Sequence, residues 1–484
     1  MPEAVPQPET PIAASVPLCV DLDGTLVKSD TLVDSLLALL RTRPMLAFQL
    51  PGHLRRGKAP FKAFVSKSIS LDVALLPYNQ QLLQFLQEER ARGRAIYLTT
   101  GADMALAQRV ALHLGIFAGV LASDGVNNLT GGRKLASLRA NLGSGPFDYI
   151  GNDTPDLPML VKANVAMVAN PSLALTMELR SRRLQPARQF NESPPLAISL
   201  VKAVRLRQWA KNLLIFLPLL LSHALSAGKL LAAVNAFFCF SLTASAACIV
   251  NDLLDIEADR RHPQNRLRPF ASGDLPALTG IGLVAIFLLM AVLGGSLLPE
   301  SFFGWLALCL AATLAYSVYL KRFAVVDVLV LSGLYILRLL AGGAATQTHI
   351  SQWMAGFSIF LFLSLAIVKR FAKLENLRTS GSTPGNGRGY LLADMELLRS
   401  LGIASAFAAM VVLAIYIGGA SAAKHYSQPE LLWLIVPLMI LWISQVWLLA
   451  SRGKLDEDPI VFALSDRVSL AIEAAVVVIA LLAI

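Results

Sequence analysis

The stretch NDLLDIEADRRHPQNRLRPFASG, residues 251–273, lies between long apolar runs and carries three Asp, one Glu, one His and four Arg. Asn251, Asp255 and Asp259 recur every four residues, so a helix would place them on one face, with Asp252 beside them. Carboxylates at the end of an apolar helix are costly unless a cation neutralises them. Carboxylate and amide oxygens favour Mg²⁺, which usually bridges to substrate phosphates. We therefore predict that these four residues bind Mg²⁺.

The second part of this stretch is basic. Pro263 is expected to end the helix, and Arg266 and Arg268 follow it. Arginine binds phosphate oxygens bidentately, so acids that hold a metal beside arginines predict a diphosphate site, in which we include Arg260 and His262. The alternative is a charged loop that only sets membrane topology. Topology requires positive charge, however, and has no use for regularly spaced acids.

Composition indicates a membrane protein with a soluble N-terminal part. The 484-residue chain is 55% hydrophobic and 15% charged, with a mean hydropathy of +0.59. Its apolar residues concentrate after residue 209, whereas charges are scattered throughout residues 1–200. The net charge of +10 would fit a nucleic-acid-binding protein, but the basic residues lie in loops between apolar runs. Membrane topology explains them better, and we predict no nucleic-acid partner.

The apolar runs are long enough to cross a bilayer. They predict nine spans, at 210–226, 229–250, 278–298, 302–320, 325–345, 351–369, 400–419, 430–450 and 467–484. Basic residues concentrate in the loops that share a side with the N-terminal part, so that part is expected in the cytoplasm and the C-terminus outside. We predict an integral protein of the bacterial inner membrane with cytoplasmic active sites.

The motif DLDGT at residues 21–25 follows a short apolar strand. Two Asp at the carboxyl end of a strand, followed by Gly and Thr, form a compact phosphate site. The motif resembles the first motif of the haloacid dehalogenase superfamily. The resemblance implies that Asp21 is the nucleophile that forms an aspartyl phosphate and that Asp23 is the general acid and base. It also implies that both residues bind Mg²⁺, Asp23 through its backbone carbonyl.

Further motifs of that superfamily follow in order. Thr100 stands after the next strand, where a Ser or Thr binds the phosphate, with Thr99 as the alternative. Lys134 stands where a Lys neutralises the phosphate and the nucleophile. In GNDTPD, residues 151–156, Asn152 replaces the usual first Asp and Asp153 follows it; both are implied metal ligands. The resemblance covers about residues 16–168, and the alternative is a degenerate domain retained as a scaffold.

The C-terminal half resembles a second family. Its predicted spans and the pattern N-D-x-x-D-x-x-x-D-R-x-H-P-x-x-x-x-R-P are similar to the UbiA superfamily of membrane prenyltransferases. Most of that family has a second Asp-rich motif near the cytoplasmic end of the sixth span, where it holds a second Mg²⁺. Here that segment is IVKRFAKLE, with Lys369 and Arg370 in place of acids. Bases at this place imply direct binding of an additional phosphate.

The basic substitution indicates one branch of that family. Together with YSVYLKRFAVVD, LRLLAGG and GKLDEDP, it resembles the decaprenyl-phosphate phosphoribosyltransferases of cell-wall arabinan synthesis. These enzymes transfer 5-phosphoribose from phosphoribosyl diphosphate to a polyprenyl phosphate. The resemblance adds four candidate binding residues, Tyr316, Lys321, Asp327 and Arg338.

Some roles stay open at this point. Arg338, inside a span, either pairs with Asp327 or faces the donor. Arg205 and Lys211, in the basic segment RLRQWAKN, hold either anionic lipid heads or the acceptor phosphate. The Gly-rich residues 380–389 form either a lid or a linker.

We predict a disordered tail at 1–16, then an α/β Rossmann-like haloacid dehalogenase domain at 17–185 with a small helical cap at about 30–77. A linker at 186–200 and an all-α polytopic UbiA-type domain at 201–484 would follow. The joint hypothesis is a bifunctional, Mg²⁺-dependent enzyme, in which the membrane domain transfers 5-phosphoribose to a polyprenyl phosphate and the soluble domain then removes the 5-phosphate. The alternative is a prenyltransferase that uses a prenyl diphosphate donor with an aromatic or lipid acceptor, and whose soluble domain is an inactive scaffold. A homo-oligomer is compatible with both.

Overall fold

The computed structural model describes residues 16–222, 225–379, 389–419, 422, 426–455 and 458–484. Most of the predicted tail, the Gly-rich residues 380–388, and Asp456 and Glu457 of GKLDEDP lie outside the described residues. The chain forms two compact units. The N-terminal unit comprises the chain up to Ala203 together with residues 252–282, and the membrane unit comprises residues 204–251 and 283–484. Most of the acidic stretch at residues 251–273 therefore belongs to the N-terminal unit.

A six-stranded parallel sheet organises the N-terminal unit, in the order β3-β2-β1-β4-β5-β6. Its strands are β1 Leu18–Val20, β2 Ile96–Asp103, β3 Gly119–Ser123, β4 Asp148–Gly151, β5 Ala166–Ala169 and β6 Arg188–Phe190. The strands alternate with helices, and β1 is buried throughout, as expected for the centre of a parallel sheet. The predicted α/β fold is confirmed. The strand order reverses beside β1, so ligand groups are expected at the carboxyl ends of β1 and β4.

Helices up to residue 204 are α1 Thr31–Thr42, α2 Leu50–Arg55, α3 Lys58–Ser68, α4 Gln80–Ala91, α5 Met104–Leu114, α6 Gly132–Leu142, α7 Leu157–Lys162, α8 Leu173–Ser181 and α9 Leu196–Val204. The first three fill the segment between β1 and β2, which is helical as predicted for a cap. Asp30 begins α1, because its carboxylate accepts hydrogen bonds from the amides of Leu32 and Val33. Short 3₁₀ helices lie at Pro44–Gln49, Val73–Leu75 and Thr154–Asp156.

The remaining helices are α10 Leu217–Leu221, α11 Ala227–Leu254, α12 Ile256–Arg261, α13 Ala277–Gly295, α14 Glu300–Val318, α15 Val326–Thr346, α16 Gln352–Thr379, α17 Met395–Gly418, α18 Ile435–Ser451, α19 Pro459–Ala463 and α20 Arg467–Ala483. Short 3₁₀ helices lie at Leu206–Phe216, Asn265–Leu267, Leu320–Arg322, Leu392–Asp394 and Pro429–Leu434. The predicted helical C-terminal half is confirmed.

Seven helical segments among the described residues are long and apolar enough to span a membrane, so nine spans are not confirmed. The predicted span at 210–226 is instead a 3₁₀ helix followed by the five-residue α10, which has Pro218 in its first turn. Its side chains are tied to a neighbour, since Asn212 and Trp209 donate hydrogen bonds to Ser241 and Ser245 of α11. The last predicted span is α20, a helix of only 17 residues.

Small residues let the central helices of the membrane unit approach closely. Ser364 of α16 donates a hydrogen bond to the carbonyl of Gly402 in α17 and accepts one from the indole of Trp447 in α18. The Trp447 ring lies against Gly402, where any Cβ would collide with it. Close packing around small residues and buried hydroxyls is typical of helix association in lipid.

Candidate functional sites

Asp21 follows β1 directly and is buried at the carboxyl edge of the sheet. Its Oδ1 accepts a hydrogen bond from the Lys134 ammonium at 2.7 Å, and its Oδ2 lies 3.4 Å from the Thr25 hydroxyl. Lys134 also donates to Asp156 at 2.9 Å, and Asp156 accepts a second bond from the Tyr149 hydroxyl. Burial raises the pKa of Asp21 to about 6, although the Lys134 charge opposes the shift. The Lys134 ammonium therefore favours the ionised form of Asp21.

Asp23 lies two residues after Asp21, and a backbone amide holds its side chain. Its Oδ1 accepts a hydrogen bond from the amide of Thr31 at 2.8 Å. Burial, followed by the charges of Asp30 and Asp21, raises the pKa of Asp23 to about 7. A carboxyl group with a pKa near neutral can both give and take a proton, which is what a general acid and base requires.

The two predicted metal ligands after β4 lie in different surroundings. Asn152 accepts a hydrogen bond from Thr25 at 3.2 Å, and the same hydroxyl reaches Asp21. Asp153 is exposed, where it bonds Ser172 at 2.6 Å and caps a 3₁₀ helix. The structure thus groups Asn152 with Asp21 and places Asp153 in a structural cap. The acid that does join this group is Asp156, which the sequence analysis did not select.

This group fits a magnesium ion in part. One hydroxyl reaches both Asp21 and Asn152, so a carboxylate oxygen and an amide oxygen converge. Burial raises the pKa values of Asp21 and Asp23, so ionising these acids is less favourable than in water. A divalent cation would supply the missing charge. Asn152 contributes an oxygen but no charge.

Thr100 and Thr99 lie within β2, which continues to Asp103 instead of ending at residue 99. Both are buried. The Thr100 hydroxyl accepts a hydrogen bond from the amide of Ala102 at 3.0 Å, whereas the Thr99 hydroxyl is a buried group without a hydrogen-bond partner in the described residues. Successive strand residues point to opposite sides of a sheet, so only one of the two can serve the site.

A cap residue also reaches this edge of the sheet. Lys62 of α3 donates hydrogen bonds to the carbonyl of Gly101 at 2.6 Å and to Asn128 at 3.0 Å. It lines a small cavity of about 70 Å³ together with Asp23 and Asp30. Burial lowers the pKa of Lys62, although both acids oppose the shift. The sequence does not single out Lys62, because nothing in the spacing of α3 distinguishes one lysine of the cap from another.

The helix that carries the acidic stretch is interrupted at Asp255, between α11 and α12, so the predicted single helical face is broken there. Arg268 contacts Asp252 at 3.1 Å and Asp259 at 2.7 Å through one nitrogen. Asp255 instead pairs with Arg41 of α1 at 2.7 Å. Burial raises the pKa of Asp259, against the opposing charge of Arg268. α12 ends before Pro263, as predicted.

These acids fit a cation, but not the predicted four-residue cage. Asp252 and Asp259 converge on one guanidinium nitrogen, so both could contact one metal ion. No group of three or more His, Cys, Asp or Glu side chains is arranged to hold a metal in the part of the chain that the structure describes. Asn251 is half-buried at the end of α11. A bound Mg²⁺ would therefore share these carboxylates with arginine or displace it.

Arg260 is held by contacts within the N-terminal unit. It is buried, and it donates hydrogen bonds to Asp34 at 2.8 Å, to Ser29 at 3.1 Å and to the carbonyl of Ala271 at 3.0 Å. Its partners Ser29 and Asp34 follow the DLDGT motif, so Arg260 joins the acidic stretch to the start of the cap. Its role as a phosphate ligand stays a prediction beside these structural contacts.

The other two candidates of the loop are exposed. His262 and Arg266 both lie on the surface. The Nδ1 atom of His262 accepts hydrogen bonds from the amides of Gln264 and Asn265 at 3.3 and 3.4 Å. These contacts place His262 in a role that orders the turn after α12.

In the membrane unit, Arg370 forms a buried ion pair with Asp327. Its guanidinium donates to both carboxylate oxygens of Asp327 and to the Tyr316 hydroxyl, and Tyr316 in turn donates to Asp327 at 2.7 Å. Arg370 and Asp327 are both buried. Removal of either partner would leave a buried charge without its counterion, and the predicted contact of Arg370 with a donor phosphate stays a prediction.

Lys369, the neighbouring base, belongs to a different cluster. It lies 2.6 Å from Oδ2 of Asp458, and Lys211 lies 2.8 Å from the same oxygen. The Tyr335 hydroxyl contacts both oxygens of Asp458, at 3.1 and 3.3 Å. Asp458 also caps α19, because its Oδ1 accepts the amide of Ile460. Neighbouring ammonium groups lower the pKa of Asp458 despite its burial, so this carboxylate is ionised.

Arg338 does not pair with Asp327. It donates to Oδ1 of Asn212 at 2.8 Å and to the carbonyl of Leu334. This resolves one of the open alternatives against the Asp327 pair. The two other candidates lie at turns: Arg205 has a left-handed backbone conformation with φ of 54° just before the 3₁₀ helix Leu206–Phe216, and Lys321 lies in Leu320–Arg322.

Comparison with known proteins gives the family. Residues 213–466 match the model of the UbiA prenyltransferase family, which is more than half of the chain. The chain belongs to the UbiA prenyltransferase family. The Sinorhizobium fredii protein y4nM is 35% identical over 458 residues, 94% of this chain and 88% of that protein. The Azorhizobium caulinodans nodulation protein NoeC is 33% identical over 271 residues, 56% of this chain and 88% of that protein.

A relative with a stated activity is the decaprenyl-phosphate phosphoribosyltransferase of Mycobacterium tuberculosis. It is 37% identical over 198 residues, which is 39% of this chain and 65% of that protein. Together with the apolar helices, membership of the UbiA family identifies an integral membrane protein.

Proposed function

We propose that this UbiA-family protein transfers 5-phosphoribose from phosphoribosyl diphosphate to a polyprenyl phosphate, and that its N-terminal unit then removes the 5-phosphate. The observation that carries the first half is the pair of ammonium groups, Lys211 and Lys369, gathered on Asp458. A prenyl diphosphate carries phosphate only on its leaving group. Phosphoribosyl diphosphate carries another on the transferred group, which an additional cationic cluster would bind. The mycobacterial relative supports the same choice.

The acidic stretch is proposed to hold the leaving diphosphate. Mg²⁺ held by Asp252 and Asp259, and by Asp255 once it leaves Arg41, would neutralise charge on that group. An oxygen of the acceptor phosphate forms the bond to C1 of the ribose, while the bond from C1 to the diphosphate breaks and the diphosphate leaves with the electron pair. Arg268, which already contacts two of these acids, is placed to bind the departing diphosphate.

The N-terminal unit is proposed to be a phosphatase, carried by residues 17–185. Asp21 attacks phosphorus to form an aspartyl phosphate, Asp23 protonates the departing sugar oxygen and later activates water, and Lys134 neutralises the phosphate. Mg²⁺ would supply further charge beside Asp21 and Asn152. The product is a polyprenyl-phosphoryl ribose. We place both activities on the cytoplasmic side of the bacterial inner membrane, with the C-terminus outside.

Donor choice tests the proposal. Purified protein is incubated with polyprenyl phosphate, an aromatic acceptor and Mg²⁺, together with either phosphoribosyl diphosphate or a prenyl diphosphate. We expect lipid-linked pentose with the first donor and no prenylated product with the second. Consumption of the prenyl diphosphate, without consumption of phosphoribosyl diphosphate, would overturn the proposal and favour the prenyltransferase alternative.

A further inference from the structure

The cluster around Asp458 has more cation than it has anion. Two ammonium groups, those of Lys211 and Lys369, meet one carboxylate oxygen at 2.8 and 2.6 Å. Like charges held this close repel each other unless an anion lies between them. Asp458 supplies a single negative charge, so the three groups together keep a net positive charge. Asp458 therefore neutralises the charge of the two lysines only in part.

The carboxylate itself is fixed in place. Oδ1 of Asp458 accepts the amide of Ile460 at 3.3 Å, and the Tyr335 hydroxyl contacts both oxygens. The side chain of Asp458 is only 6% exposed. A carboxylate that is buried and held from two elements cannot follow a mobile lysine, so the lysines are ordered by it.

The ammonium groups keep hydrogen-bonding capacity. Each carries three N–H donors, and Oδ2 of Asp458 takes one from each. The Lys369 side chain is 29% exposed and that of Lys211 is 12% exposed, so the cluster is open on the lysine side and closed on the Asp458 side. Arg370 beside it differs, because its side chain is 4% exposed and its donors bond Asp327 and Tyr316.

We propose that Asp458 is a positioning residue that holds Lys211 and Lys369 as one phosphate-binding pair, and that this pair takes the 5-phosphate of the donor. The ligand class is a phosphate monoester. The pair supplies two point charges and several N–H donors to a dianion, which Arg370 in its buried ion pair cannot do. This assignment rests on the proposed function, and it moves the donor contact from Lys369 and Arg370 to Lys369 and Lys211.

The test separates donor from acceptor. In Asp458→Asn the carboxylate charge is lost at constant volume, so the two lysines are no longer drawn together. We expect the KM for phosphoribosyl diphosphate to rise roughly tenfold or more, while the KM for polyprenyl phosphate stays within about twofold. Asp458→Glu should recover part of the loss. Asp466→Asn is the matched control, because Asp466 also caps a helix of this unit, through the amide of Ser469. It should leave both KM values unchanged.

Binding without turnover keeps the inference distinct from the proposed function. Ribose 5-phosphate should raise the thermal unfolding temperature of the wild type, and ribose should not. That shift should be lost in Asp458→Asn and in Lys369→Ala. If the wild type transfers no phosphoribose but shows this Asp458-dependent shift, the proposed function fails and the phosphate site stands. A rise in the KM for polyprenyl phosphate in Asp458→Asn would overturn the positioning role. A loss of activity in that variant with both KM values unchanged would also overturn it.

Discussion

At the scale of single residues, charge decides which candidates can act. Asp21 is buried and Asp23 is half-buried, and the pKa values of both are raised by burial. Arg260 and Arg370 are also buried, but their donors already bond protein acids. An arginine in this state is a weaker candidate ligand than a partly exposed one such as Arg268.

Asp255→Asn tests the acidic stretch. The substitution removes charge at constant volume, and we expect phosphoribosyl transfer to fall about 100-fold or more because a metal ligand is lost. Asp255 also pairs with Arg41, at 2.7 Å. Arg41→Gln is therefore the control, since it breaks the same ion pair and keeps the carboxylate; partly exposed pairs contribute about 0–1 kcal/mol to stability. Initial rates across a Mg²⁺ titration provide the measurement. Full activity in Asp255→Asn would disprove the metal-ligand role.

Glu89 of α4 gives a pH prediction. Burial raises its pKa, but hydrogen bonds and charges from Arg94 and Arg92 outweigh burial, so the pKa lies below its usual value. A folded-state pKa below the unfolded one adds stability that is present above the unfolded pKa and is lost as pH falls through the folded pKa. We expect hydrogen exchange of α4 amides, corrected for the intrinsic pH dependence, to lose protection as pH drops below about 4.3.

The matched variant for this measurement is Glu89→Gln, which has no charge to lose. Its α4 protection should be weaker at neutral pH and should change less with pH than that of the wild type. Identical pH profiles for the two proteins would show that the Arg94 pair contributes nothing to the stability of α4.

At the scale of elements, a buried ion pair joins α1 to α12 within the N-terminal unit. Arg260 and Asp34 are 2.8 Å apart, with side chains 5% and 2% exposed. Arg260→Met leaves the Asp34 charge buried and unpaired, so we expect a loss of about 3–5 kcal/mol in the free energy of opening this region. Hydrogen exchange of α1 and α12 measures it.

Two variants make that measurement specific. Arg261→Met is the matched control, because Arg261 is 60% exposed and pairs with Glu257 and Asp72 on the surface; its effect should stay within about 1 kcal/mol. The double variant Asp34→Leu with Arg260→Met should be less destabilised than Arg260→Met alone, since no unpaired charge remains. If Arg260→Met and Arg261→Met exchange alike, the buried pair does not hold α1 and α12 together.

The helices and strands also show which parts of the fold local sequence patterns can predict. Local pattern was sufficient for the strand that precedes Asp21, for the helical segment after it and for the end of α12 before Pro263, because each depends on neighbours in the chain. The spans at 210–226 and 467–484 were predicted from apolar length alone. The first contains a proline and side chains that bond α11, which interrupt a regular helix.

Long-range pairs could not be predicted in this way. Asp34 and Arg260 are separated by 226 residues, and Lys369 and Asp458 by 89. Nothing in the local spacing of either residue identifies its partner. In GNDTPD, Asp153 was selected because it directly follows Asn152, but its side chain caps a 3₁₀ helix, whereas Asp156 contacts Lys134.

At the scale of the whole molecule, one chain carries two sets of phosphate chemistry. The N-terminal unit contains the Asp21 site and also most of the acidic stretch of the UbiA family, since residues 252–282 belong to it. The proposed reactions are consecutive, because the phosphate that the membrane unit is proposed to bind is the one that Asp21 is proposed to remove. A single lipid product should therefore report on both.

The mass of that product is the most direct test. Purified wild type and Asp21→Asn are each incubated with labelled phosphoribosyl diphosphate, polyprenyl phosphate and Mg²⁺, and the lipid is analysed by mass spectrometry. We predict that the wild-type lipid gains a ribose without phosphate, and that the variant lipid gains ribose 5-phosphate, because an amide cannot form the aspartyl phosphate. Lipids of equal mass from the two proteins, or no labelled lipid from either, would contradict the account.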